Sequence, residues 1–299
     1  MSMFTETATR GWPFSPAVLR ILRRLRRSRR NDGCVVDCEH DRTDDDRLPW
    51  STDGEYGGWG GRAFHGVDGP AGAFEGDASP TPVVFVHGTQ RDACDWESHA
   101  EFFLRRGYGG DDLWAISFRE GASTHREMAE QLDDFVGRVR EHTGAESVAV
   151  VGHSLGVTGL RYWLASRDRY EWVDTLVGLA GPNHGTVFNI WCDEAGIRSH
   201  GYQVSPVLRA DYEDMENHPL SVLNRDETPG DTDYYTLRGA DDALFWRCEE
   251  SPELDGATNV TLETGHDGVR THRATKGYLF EWITGEHPYD LRNQVGLSR

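Results

Sequence analysis

Residues 147–156 read SVAVVGHSLG, and that stretch decides the fold. Its first half, 147–151, is an apolar, β-branched run of the length expected for a strand buried on both faces. Its second half, Gly152-His153-Ser154-Leu155-Gly156, has the pattern G-x-S-x-G and leads directly into an apolar-patterned helix predicted over 154–166. So sharp a turn between strand and helix holds the serine in a strained backbone conformation. Glycine on either side lets neighbouring backbone come close, so the hydroxyl projects above the end of the sheet. The N-terminus of the following helix then faces the negative charge that attack by a serine oxygen creates.

Outward from this turn the chain alternates strand and helix. Strands are predicted at 82–86, 113–118, 172–179, 234–238 and 257–263, and helices at 96–106, 123–142 and 271–283. In the long helix Met128, Leu132, Phe135, Val136 and Val139 share one face. The alternation predicts an α/β protein with a mostly parallel central sheet covered by helices on both faces. Residues 53–80, beginning near Tyr56-Gly57-Gly58-Trp59-Gly60-Gly61, read as glycine-rich loop. The irregular stretch 181–230 holds Trp191, Tyr202 and Tyr212. It is too long for a plain connection and is expected to be an excursion over one end of the sheet.

A serine nucleophile needs a base, and the base needs an orienting acid, which on this topology follow in the order Ser, Asp or Glu, His. Asp241 is the first carboxylate after the strand 234–238 and is the expected acid, with Asp242 its rival. His266, between Gly265 and Asp267-Gly268 after the last strand, is the expected base, and His272 reads as an early residue of the terminal helix. Two backbone N–H groups are needed for the oxyanion: that of Leu155, and that of Thr89 in His87-Gly88-Thr89-Gln90 after the strand 82–86. His87 comes too early in the chain to be the base and is expected to tie its loop down. Trp191 is expected to line an apolar substrate wall.

Taken together, PVVFVHG at 82–88, GHSLG at 152–156, LRGADD at 237–242 and ETGHDG at 263–268 resemble the α/β-hydrolase superfamily. Within it they are similar to the small bacterial lipases grouped as lipase class 2. The glycine-rich stretch from Tyr56 resembles extracellular poly(3-hydroxybutyrate) depolymerases, and LAGPNHG at 179–185 is similar to a loop of related lipases. The resemblance covers about residues 50–285. It implies an α/β-hydrolase fold with Ser154, Asp241 and His266 as triad and Thr89 and Leu155 as oxyanion donors. It also implies a serine carboxylic-ester hydrolase working through an acyl-enzyme on acylglycerol or other lipid-like, small or polymeric esters. The alternatives are a polyester depolymerase, an amidase, an acyltransferase, or a non-catalytic binding member of the fold. No cofactor is expected. No metal is expected either, because the ligands of the zinc or calcium found in some related lipases do not map onto this sequence.

Composition limits the partners. The 299 residues carry a net charge of −19, which disfavours nucleic acid. Lys276 is the single lysine among 31 basic residues. Residues 1–30 hold eight arginines against one glutamate, which leaves −26 for the remainder. So acidic and lysine-poor a body predicts a protein of a salt-in halophile, haloarchaeal in type, since molar salt shrinks the Debye length to about 3 Å. Residues 1–50 are expected to be a flexible basic and acidic extension, and 51–299 the catalytic domain. Val18, Ile21, Leu22 and Leu25 fall at helical spacing among arginines. This short helix reads as a poorly docked extension or as a weak membrane-surface contact. The arginines run into polar sequence rather than an apolar stretch, which predicts a cytoplasmic protein, whereas the family resemblance implies secretion. Five cysteines at irregular spacing predict free thiols or one local disulfide.

Overall fold

The computed structural model describes residues 41–64, 80–121, 123–194, 206–215 and 217–287. These belong to one of two compact units, Cys34–Arg299. The helix expected near 18–27, Cys34, Cys38, His40 and Tyr202 lie outside the described residues.

Among the described residues seven strands form one sheet: β1 (Tyr56–Gly60), β2 (Val83–Val86), β3 (Leu113–Phe118), β4 (Val148–His153), β5 (Val173–Leu179), β6 (Asp233–Gly239) and β7 (Thr258–Leu262). Their order is β1-β3-β2-β4-β5-β6-β7, parallel throughout except for β1, which runs antiparallel to β3. The helices are α1 (Glu97–Leu104), α2 (His125–Thr143), α3 (Leu155–Arg167), α4 (Val187–Glu194), α5 (Pro219–Leu223), α6 (His266–Thr271) and α7 (Arg273–Thr284). The predicted mostly parallel sheet with helices on both faces is the architecture found.

Side chains alternate across a strand, so each central strand feeds two cores. Val84 and Val86 pack on one face with Leu132, Phe135 and Trp163 from α2 and α3. Val83 and Phe85 pack on the other with Trp96, Phe103 and Phe280. Full burial of a side chain such as Phe85 contributes on the order of 1.5–3 kcal/mol. The start of α2 is fixed by a capping box: the Thr124 hydroxyl accepts from the Glu127 N–H, while the Glu127 carboxylate accepts from the Thr124 N–H.

Two regions depart from the sequence reading. The glycine-rich stretch expected as loop is the edge strand β1. Its glycines are there for close approach. A Cβ on Gly57 would lie 2.4 Å from the Arg42 carbonyl oxygen, and one on Gly60 would lie 2.0 Å from the Trp114 ring. Tyr56 and Trp59, at 1% exposure, anchor the strand on opposite faces. Its outer side is covered: Gly58 N–H donates to the Asp44 carbonyl at 3.2 Å and Gly60 N–H to that of Arg47 at 3.0 Å. Residues 41–50, read as part of the extension, therefore lie on the body. Leu48 is buried, Trp50 stacks on Trp114 at 5.2 Å, and Arg47 pairs with Glu97 at 2.9 Å.

The described parts of the excursion 181–230 contain α4, α5 and short 3-10 turns at Pro206–Leu208 and Tyr212–Asp214. Tyr212 is one of the aromatic residues of this excursion. It packs into the core with Leu208, Leu220 and Leu223, and its hydroxyl accepts from the Asn224 amide at 3.0 Å.

The loops after β2, β4, β6 and β7 gather at the carboxyl end of the sheet. Backbone bonds carry the ladder past the strands: Ser154 N–H to Leu179 O, Ala180 N–H to Leu237 O and Ala240 N–H to Leu262 O, each 2.8 Å. Each turn is thereby held by its neighbouring strand, which fixes the distances between the side chains they carry.

Candidate active site

Ser154 sits between β4 and α3 with φ +54° and ψ −125°, a strained conformation for a residue with a side chain. The flanking glycines make it possible. A Cβ on Gly156 would come within 2.6 Å of the His87 carbonyl oxygen, and one on Gly152 within 3.0 Å of the Val157 backbone.

His266 is the first residue of α6, placed there by Gly265 after β7. Its Nε2 accepts from the Ser154 hydroxyl at 2.9 Å, and its Nδ1–H donates to Asp242 Oδ2 at 2.7 Å. The Asp242 side chain is 1% exposed and that of His266 15%. Burial by itself would lower the imidazole pKa. The charge and hydrogen bond of Asp242 outweigh it, with Asp267 adding and Arg91 opposing, so His266 is raised above its ordinary 6.5.

The expected acid, Asp241, is not the residue that meets His266. After β6 the pairing continues through Asp241, whose N–H donates to the Thr264 carbonyl at 3.0 Å, and its side chain is exposed. The chain then turns, with Asp242 N–H donating to Gly239 O at 3.3 Å, and the next carboxylate points inward. Asp242 also caps the 3-10 turn Ala243–Phe245, its Oδ1 accepting from Leu244 N–H at 3.0 Å. One carboxylate thus closes a turn and orients an imidazole, which the first residue off the strand is not placed to do.

The loop carrying Thr89 lies against the serine turn. A Cβ on Gly88 would be 3.0 Å from both the Ser154 Cβ and the His153 carbonyl oxygen. His87 holds this loop: its Nδ1–H donates to Gly88 O at 2.7 Å, and its Nε2 accepts from Phe118 N–H at 3.0 Å. Burial pushes the His87 imidazole down to about 3, consistent with that neutral role. Among the described residues the N–H groups of Thr89 and Leu155 meet no protein acceptor.

Trp191, on α4, is brought against Trp246, their ring centroids 5.7 Å apart. Trp246 is 39% exposed and follows Phe245, whose buried ring lies 5.9 Å from His266. The sequence reading missed Trp246; its position four residues after Asp242 is the signal that would have found it.

Charged groups missed by the sequence reading surround His266. Arg91 Nη2 pairs with Asp267 Oδ1 at 2.7 Å, and Arg91 Nε lies 3.6 Å from Asp95 Oδ2. Arg270 reaches Asp95 Oδ1 at 3.4 Å and donates to its carbonyl at 2.8 Å. His153 Nε2–H donates to the His266 carbonyl at 3.2 Å, with the two rings 5.1 Å apart. Burial would raise the Asp267 carboxyl, but the Arg91 guanidinium, by charge and hydrogen bond, holds it well below the usual carboxylate range. His153 is held far below its ordinary value, chiefly by burial and then by His266.

Among the described residues no group of three or more His, Cys, Asp or Glu side chains is arranged to hold a metal ion. Cys94 is disulfide-bonded and Cys248 is a free, half-buried thiol. No described helix is long and apolar enough to cross a membrane.

A mostly parallel seven-stranded sheet, with a serine on the strand–helix turn and an aspartate and histidine on later loops, is an α/β-hydrolase. Residues 80–250, more than half of the chain, match the family Lipase (class 2), and the chain belongs to that family. It is a lipase- or esterase-type carboxylic ester hydrolase. The fold is shared with the mature form of Bacillus licheniformis lipase BlEst2, at 20% identity and a TM-score of 0.54 over 71% of this chain and 95% of that one. The propeptide form of the same lipase aligns with a TM-score of 0.56 at 20% identity, over 71% of this chain and 52% of that one. Aspergillus fumigatus lipase B aligns at 14% identity with a TM-score of 0.53, over 72% of this chain and 56% of that one.

Proposed function

We propose that this protein hydrolyses acylglycerols or other lipid-like esters through an acyl-enzyme on Ser154. The observation that supports this reading is the hydrogen-bonded chain Ser154–His266–Asp242 on a strained turn. His266 Nε2 takes the hydroxyl proton as Ser154 Oγ attacks the acyl carbonyl carbon, and Asp242 stabilises the imidazolium. The carbonyl oxygen becomes an oxyanion held by the N–H groups of Thr89 and Leu155. Collapse breaks the ester bond, and the alcohol leaves with the proton from His266. Water then attacks the acyl-enzyme, giving its proton to His266. A second collapse frees the carboxylic acid and returns that proton to Ser154.

The aromatic pair of half-buried Trp191 and exposed Trp246, beside the loop of the acid, supports an apolar acyl group. The acidic, lysine-poor body supports work at molar salt. The test is labelling with a fluorophosphonate in 2 M KCl. The wild type is expected to label and Ser154→Ala to remain unlabelled, with ester turnover falling at least about 10³-fold. A folded Ser154→Ala protein that keeps wild-type turnover ends this reading.

A further inference from the structure

We infer that Arg91 and Asp267 act as a positioning pair that locks the loop of Thr89 to the turn of His266, so that oxyanion donor and base share one frame. This rests on the catalytic reading above. Arg91 stands two residues after Thr89, and Asp267 immediately after His266. Their 2.7 Å bond therefore joins two catalytic loops that are 176 residues apart in the chain, and its side chains are only 18% and 14% exposed. The bond is not isolated. Asp95, behind Arg91, reaches Arg270 on the same short helix as His266, so two charged ties run from segment 91–95 to α6. On the far side His153, next to the nucleophile, holds the His266 carbonyl. Arg42 donates to the Arg91 carbonyl and, at 3.0 Å, to that of Phe118, so the loop is backed from the opposite direction as well. α6 has six residues and little intrinsic stability of its own, and the position of His266 depends on these ties.

The pair is ionic for a reason an apolar contact would not meet. Asp267 adjoins His266, and an unpaired carboxylate there would add to Asp242 in holding the imidazole protonated. Arg91 balances that charge. The groups facing His266 are Asp242 from the turn after β6, His153 from β4, Arg91 from the loop after β2, and Asp267 and Arg270 from α6, with Asp95 behind Arg91 and Arg270. Removing the negative charge of Asp267 destabilises the imidazolium, and removing the positive charge of Arg91 stabilises it.

The two halves of one pair should therefore act alike on turnover and oppositely on pH. In the full-length protein, Asp267→Asn and Arg91→Gln are each expected to lower kcat on a p-nitrophenyl ester about tenfold, with KM within about twofold. The double variant should be no worse than the weaker single. The acid limb of kcat/KM should move to lower pH in Asp267→Asn and to higher pH in Arg91→Gln. Asp267→Glu and Arg91→Lys keep the charges but alter the reach, and should lose kcat with the limb unmoved. A purely structural role would lower the melting temperature while leaving the limb in place in every variant. Folded variants with wild-type kcat, or limbs that move the same way, overturn the pair. A wild type that neither takes the fluorophosphonate nor hydrolyses ester overturns the catalytic reading itself, a result distinct from active wild type with indifferent variants.

Discussion

Asp242 and Asp267 flank the same imidazole, yet their surroundings divide the work between them. Asp242 is almost sealed from solvent, bonded to one neutral N–H from Leu244 and to His266, with no arginine paired to it among the described residues. Its charge is left for the imidazolium. Asp267 is bonded to Arg91, whose opposite charge offsets its pull on the imidazole. Two carboxylates beside one imidazole, one adjacent in sequence and one 24 residues away, can thus serve as tie and as stabiliser, and the difference lies in which partner each one has, not in residue type.

Breaking the Asp242 side should have the largest effect. Asp242→Asn keeps the shape but leaves His266 free to adopt the wrong tautomer, and turnover at neutral pH is expected to fall about 10⁴-fold. Steady-state kinetics with active-site titration measure it. In the wild type the imidazole must be neutral to take the serine proton, so activity is lost as pH falls through the raised His266 value. The acid limb of kcat/KM should therefore centre above 6.5. A limb centred below 6.5 would mean that burial, not Asp242, dominates. Next in size, Trp246→Ala should change the ratio of kcat/KM for an octanoyl over an acetyl ester about tenfold, while the melting temperature stays nearly unchanged. An unaltered ratio removes Trp246 and Trp191 from the acyl path.

Salt separates the buried pair from the surface ones. Arg105–Glu101 and Arg119–Glu55 are more than half exposed, and pairs of that kind contribute little at any ionic strength. The melting temperature should nonetheless rise between roughly 0.2 M and 2 M KCl as repulsion within the acidic body is screened. A melt series flat across that range makes the acidity incidental. The smallest effect is expected for Asp241→Asn, less than about twofold on kcat, because its exposed side chain makes no bond to His266. A collapse of activity there would return the acid to Asp241.

That last pair shows where the sequence stopped being legible. The elbow at 152–156 was readable to the residue, because a buried strand, a forced turn and a helix leave the serine one place to go. His266, expected as the base, is the histidine that meets Ser154; His272, read as an early residue of the terminal helix, stands just before it as its N-cap. The carboxylate that meets His266 lies one position beyond the expected Asp241, because two adjacent carboxylates differ only in how long the ladder runs past β6. That is set by the Asp241 N–H bond to Thr264, a contact 23 residues away in the chain. β1 was hidden for the opposite reason. Glycine speaks against a strand in sequence, and here it is required by the closeness of Arg42, Asp44 and Trp114. Arg91 carried no motif, and Asp267 stood in ETGHDG only as the histidine's neighbour; as an arginine and an aspartate in an acidic protein they looked like solvated surface.

The bonds from Gly58 and Gly60 to Asp44 and Arg47 bear on how copies of this protein behave towards one another. An uncovered strand edge is a template for a neighbouring chain, and many proteins keep such edges apart by charge. In molar salt that defence fails: repulsion is screened to a few ångströms, and apolar association strengthens. A sheet margin whose amide groups already have partners in the same chain stays inert under those conditions, because ions in solution do not undo a hydrogen bond made inside the fold. The segment 41–47 is thus a selvedge along β1, keeping that margin of the woven sheet from being extended by the next molecule.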